Sequence, residues 1–214
     1  MELASGAAMR RTGPADGPAV LCLNGGVGWA LEGDWSTSID WLVRRLAPQL
    51  PELAFYEVRY RIRSSRHLDL CIEDARAALE AVGEAGPPRA ALLGYSMGGA
   101  VALAVADDPL VTTLIGLAPW LPGEIGVERL VGRRVAVIHG SVDGRALFGV
   151  SPGESRRGVE RMRGLGVDAS YTLIGGGLHA MALPGPGDRL IRLPRAGEWA
   201  RLLGAELRRF QAEG

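Results

Sequence analysis

LLGYSMGGAVALA, residues 92–104, is the stretch on which the reading of this chain turns. An apolar run enters Gly94-Tyr95-Ser96-Met97-Gly98-Gly99, and an Ala/Val/Leu run leaves it. The entering run, 89–94, has the length and composition of a buried strand; the leaving run, 97–106, reads as helix. Either Ser96 sits in an ordinary Gly-rich turn, or it is held out to react. The pattern Gly-x-Ser-x-Gly is weak alone, because 31 glycines in 214 residues give roughly 0.2 such matches by chance. Its setting between strand and helix is more specific. A sharp turn there strains the serine backbone, and small residues on either side let strand and helix close up. The helix amino end also points amide dipoles at charge developing on a bound oxygen.

Working outward, strand-length apolar runs fall at 19–24, 53–58, 112–118, 134–140 and 169–175. Helical stripes lie between them. Ile39, Leu42, Val43, Leu46 and Leu50 share one face, as do Leu68, Cys71, Ile72, Ala75, Leu79 and Val82. Residues 155–165 form a short helix, and Ala196, Trp199, Leu203, Leu207 and Phe210 mark a terminal one. Six strands alternating with helices predict an α/β fold, with a mostly parallel sheet covered on both faces. Residues 1–18 are small, polar and Pro/Gly-rich, and read as a loose arm before a single domain at 19–214. In open sheets of this kind, sites lie beyond the carboxyl ends of the strands.

A serine hydroxyl needs a base, and the base needs an orienting acid. An elbow serine is followed in chain order by the acid and then the histidine. Asp143 comes just after the 134–140 strand, and His179 just after the 169–175 strand. Asp168 and Asp188 are the weaker rivals for the acid. His139 reads as structural, and His67 as the exposed start of a helix.

With GYSMGG as elbow, HGSVD around the acid and GGGLHAM around the histidine, the chain resembles the α/β-hydrolase superfamily over residues 19–212. RHLDLCIEDARAAL and GLAPWLP look like segments of small bacterial hydrolase-family proteins of undefined substrate. The resemblance implies a three-layer α/β-hydrolase fold and a catalytic set of Ser96, Asp143 and His179. It implies an oxyanion hole made by the backbone N–H groups of Gly26 and Met97, with Val27 as an alternative to Gly26. Asn24 stands where the family has His. About 15 residues, 119–133, separate the fourth and fifth strands, so the cap is minimal and the site open. Trp29, Tyr95, Trp120 and Leu121 are candidates for the substrate pocket, with Trp35 either there or in the core. Trp41 and Trp199 read as packing.

Composition narrows the alternatives. Formal net charge is zero, without the basic excess of a nucleic-acid binder. There is no lysine, which excludes Schiff-base catalysis. Cys22 and Cys71 lie in apolar runs and read as buried thiols. No metal or organic cofactor is expected. The N-terminal residues lack a signal-peptide apolar core, and no run is long enough to span a membrane; a cytoplasmic protein acting on a small acyl substrate is the expectation. Arg59, Arg61, Arg63 and Arg66 crowd the end of the 53–58 strand and read either as a solvated edge or as an anion-recognising rim. Two rival functions stay open: thioesterase, amidase or acyltransferase chemistry on the same residues, and a non-catalytic ligand-binding protein on the same scaffold.

Overall fold

The computed structural model describes residues 1–144 and 149–213. In chain order the strands are β1 (Ala8–Thr12), β2 (Ala19–Leu23), β3 (Ala54–Arg59), β4 (Ala90–Tyr95), β5 (Val111–Leu117), β6 (Arg134–Gly140), β7 (Asp168–Ile174), β8 (Ala182–Pro184) and β9 (Leu190–Arg192). The helices are α1 (Thr37–Leu46), α2 (Leu68–Glu84), α3 (Gly98–Val105), α4 (Pro152–Gly164) and α5 (Ala196–Ala212).

The first seven strands form one sheet in the order β1-β3-β2-β4-β5-β6-β7. All pairings in it are parallel except that of β1 with β3. Because side chains alternate along a strand, each strand feeds two cores. In β4, Ala90 and Leu92 point to one core, and Ala91, Leu93 and Tyr95 to the other. The first core packs against α2, α3 and α4 through residues such as Ala75, Leu79, Val101 and Met162. The second packs against α1 and α5 through Ile39, Leu42, Trp199, Leu203 and Phe210. Burying each large side chain of these stripes contributes roughly 1.5–3 kcal/mol.

One expectation changes. The sheet has seven strands rather than six, because Ala8–Thr12, expected within a loose arm, pairs antiparallel with β3 from Ala8↔Arg59 to Thr12↔Phe55. Met9 drops into the core at 1% exposed, and Arg10 pairs with Glu57 and Asp40, each at 2.8 Å. The Pro/Gly-rich stretch after His179 holds the small antiparallel ribbon of β8 and β9. Between β5 and β6, residues 118–133 carry one 3-10 turn, Glu128–Leu130, as their regular structure. Among the described residues, no helix is long and apolar enough to cross a membrane.

Candidate active site

Ser96 follows β4 directly and precedes α3. Its φ is +54°, in the left-handed region that costs a non-glycine residue roughly 1–2 kcal/mol. Hydrogen bonds hold it there. Its N–H donates to the Leu117 carbonyl at 3.0 Å, and its own carbonyl accepts from the N–H groups of Gly99 and Trp120, both at 2.9 Å. The neighbouring glycines are needed for space. A Cβ on Gly94 would lie 2.6 Å from the Gly98 carbonyl oxygen, and one on Gly98 would lie 2.8 Å from the Asn24 carbonyl oxygen.

The carboxyl ends of β4, β6 and β7 bring three side chains into one hydrogen-bonded line. His179 Nε2 lies 3.0 Å from Ser96 Oγ, and His179 Nδ1 lies 2.6 Å from Asp143 Oδ2. With a carboxylate accepting at Nδ1, the neutral ring carries its proton there and presents Nε2 to the serine hydroxyl, which donates. The Asp143 side chain is fully buried. Burial pushes its carboxyl up, but hydrogen bonds from His139 and His179 prevail and lower it from 3.8 to about 2. Its other oxygen, Oδ1, accepts from the N–H groups of Gly144 at 2.7 Å and Val150 at 3.1 Å. The Tyr95 ring flanks that of His179, with centroids 5.2 Å apart.

His139, read as structural, is hydrogen-bonded to the acid itself. Fully buried at the end of β6, it places Nε2 3.0 Å from Asp143 Oδ2 and 3.1 Å from the Val150 carbonyl. Both partners are acceptors, so Nε2 carries the proton. The spacing His139 to Asp143 was the available sequence signal. Asp168 starts β7, at the opposite end of that strand from His179, and Asp188 lies in the β8–β9 turn; the carboxylate that pairs with His179 is that of Asp143.

Asn24 ties down the loop after β2. Its Nδ2 donates to the Asp34 carbonyl at 3.0 Å, and its Oδ1 accepts from the Gly25 N–H at 2.7 Å. Beyond it, the N–H groups of Gly26 and Met97 donate to no acceptor among the described residues. Two cavities meet at Ser96. One, of about 370 Å³, is lined by Asn24, Trp35, Arg63, Tyr95, His179 and Leu183, among others. The other, of about 250 Å³, is lined by Gly26, Val27, Met97, Trp120 and Val150. Of the four pocket candidates, Tyr95 borders the first and Trp120 the second. Leu121 borders neither, because the residue after Trp120 turns into the core, where it is 4% exposed. Trp29 borders neither as well: it stands outward on the loop after β2, 49% exposed.

No protein-family model and no curated protein sequence matches this chain. Solved structures do match its three-dimensional form. A sugar hydrolase from Lactococcus lactis superposes with a TM-score of 0.74 at 17% identity, over 100% of this chain and 98% of the other. A serine hydrolase without a lid from Xanthomonas campestris gives 0.67 at 18%, over 98% and 92%. An esterase from Exiguobacterium antarcticum gives 0.66 at 12%, over 97% and 98%. At such identities the likeness is one of fold.

Proposed function

This chain has the α/β-hydrolase fold, and from that premise we propose that it is a serine hydrolase cleaving a carboxylic-ester-like bond through an acyl-enzyme. The observation that carries the reading is the continuous line from Ser96 Oγ through the His179 ring to buried Asp143. Ser96 is the nucleophile. As Oγ attacks the carbonyl carbon, its proton passes to His179 Nε2, and the carbonyl π pair moves onto oxygen. The N–H groups of Gly26 and Met97 bind that oxyanion, each contributing about 3–4 kcal/mol to the transition state. Collapse expels the alkoxide, which takes the proton from His179. Water then repeats the sequence and releases the acid and Ser96. Asp143 fixes the ring tautomer and stabilises the imidazolium.

The test is turnover of p-nitrophenyl esters from acetate to palmitate, with fluorophosphonate labelling of Ser96. Wild type hydrolyses short esters, and Ser96→Ala loses about 10⁴-fold or more. A folded wild type that neither turns over esters nor takes the label refutes the proposal.

A further inference from the structure

Of the four arginines that crowd the end of β3, one faces the cavity at Ser96. Arg61 is engaged elsewhere, with Asp74 at 2.7 Å and Glu73 at 2.6 Å. Arg59 lies 5.6 Å over the Trp35 ring, and Arg66 is exposed and lines neither cavity at Ser96. Arg63 lines the 370 Å³ cavity together with Ser96 and His179. Its Nε is buried without a hydrogen-bond partner, and among the described residues no carboxylate lies within ion-pair distance of its guanidinium. Arg63 is half-buried, and its desolvated Nε is left without an acceptor, so a guest that supplies one there is favoured.

The surroundings favour an anion as that partner. Ser36, Thr37 and Ser38, at the amino end of ten-residue α1, line the same cavity, so the positive end of the helix opens there. Trp35, also in the wall, has Arg10 and Arg59 against its ring at 4.5 and 5.6 Å. Asp34 is the one acidic residue in the lining, and its Oδ1 accepts from the Trp35 N–H at 2.7 Å. One fork of donors set against one carboxylate suits a singly charged, planar guest better than a phosphate dianion.

We propose that Arg63 is a specificity-determining residue that binds a free carboxylate on the ester substrate, within the cavity shared with Ser96 and His179. The inference rests on the serine-hydrolase reading above. Substrates of this class are esters whose acyl chain or leaving alcohol carries a carboxylate.

Two pairs, each a neutral ester and a carboxylate-bearing one, test it. Phenyl pentanoate and phenyl hydrogen glutarate differ in a charge on the acyl side; phenyl acetate and 4-acetoxybenzoate differ in one on the leaving group. Wild type prefers the charged member of at least one pair by kcat/KM. Arg63→Ala and the polar, uncharged Arg63→Gln each lower that charged-to-neutral ratio about tenfold or more, while Arg63→Lys keeps part of it. Wild type preferring neither charged ester, or a ratio unmoved in both variants, overturns the proposal. A second arm needs no turnover: calorimetric binding of monomethyl glutarate and of 4-hydroxybenzoate to Ser96→Ala. Binding of either that falls at least tenfold on adding Arg63→Gln supports the carboxylate site even if every ester is inert, which counts against the hydrolase reading alone. No binding, or equal binding by both proteins, overturns the site even if neutral esters are cleaved.

Discussion

Replacing Asp143 by Asn exchanges one carboxylate oxygen for an NH₂ group and so turns an acceptor into a donor. The Oδ1 side is nearly indifferent, since an amide oxygen can still accept from Gly144 N and Val150 N at 2.7 and 3.1 Å. The Oδ2 side is not. There the carboxylate accepts from His179 at 2.6 Å and from His139 at 3.0 Å, and an NH₂ group in its place faces two N–H donors. His139 retains the Val150 carbonyl at 3.1 Å. His179 restores a bond by moving its proton to Nε2, so that Nδ1 accepts from the amide. The ring then presents N–H, not a lone pair, to Ser96 Oγ 3.0 Å away, and cannot take the serine proton. A wrong tautomer of this kind lowers kcat by about 10⁴, which is roughly 5.4 kcal/mol of barrier. The assay is single-turnover acylation by p-nitrophenyl acetate at neutral pH, with circular dichroism to show that the variant is folded. The loss falls on kcat and kcat/KM alike, because the interaction is made in the transition state. A folded Asp143→Asn protein within tenfold of wild type refutes the argument and removes Asp143 from the acid position.

The same carboxylate sets an acid limit on stability. Its pKa is lowered from 3.8 to about 2 on folding, so its contribution is complete above pH 4 and is lost as pH falls towards 2; the difference is about 2 kcal/mol. Urea midpoints should therefore fall between pH 4 and 2 in wild type, by more than in Asp143→Asn, and equal pH slopes in the two would contradict the assignment. Asn24→Ala removes both ties of the loop before Gly26, to Asp34 and to Gly25. It is expected to cost about 1–3 kcal/mol of stability and to lower kcat by about tenfold or more with KM little changed, since an oxyanion donor acts in the transition state; a change in KM alone would place Asn24 in ground-state binding instead.

How much of this was legible beforehand follows from what each signal depends on. The alternation of buried strands and amphipathic helices is local, with side-chain periods of 2.0 and 3.6 residues written into the chain. Six strands, five helices and the strand-end positions of Ser96, Asp143 and His179 could therefore be read directly. β1 could not, because of its five residues only Met9 is buried and three are polar; the partners of Arg10, Glu57 and Asp40, lie tens of residues away.

What the tertiary structure alone decided is which side chains meet. His139 was a lone histidine in an apolar strand until the turn after β6 folded Asp143 back onto it. Asn24 was a departure from a family pattern until its amide was seen bridging Gly25 and Asp34. Trp120 and Leu121 were equal candidates, and one turn of backbone sent the first to the cavity and the second to the core. Arg61 and Arg63, two residues apart on the same loop, differ in whether α2 offers a carboxylate. The sequence by itself determined the layers, the elbow and the order of its partners, because these follow from spacing along one chain. Pairing across the sheet and at the cavity wall depends on contacts between segments far apart in sequence, and those exist once the strands have taken their register.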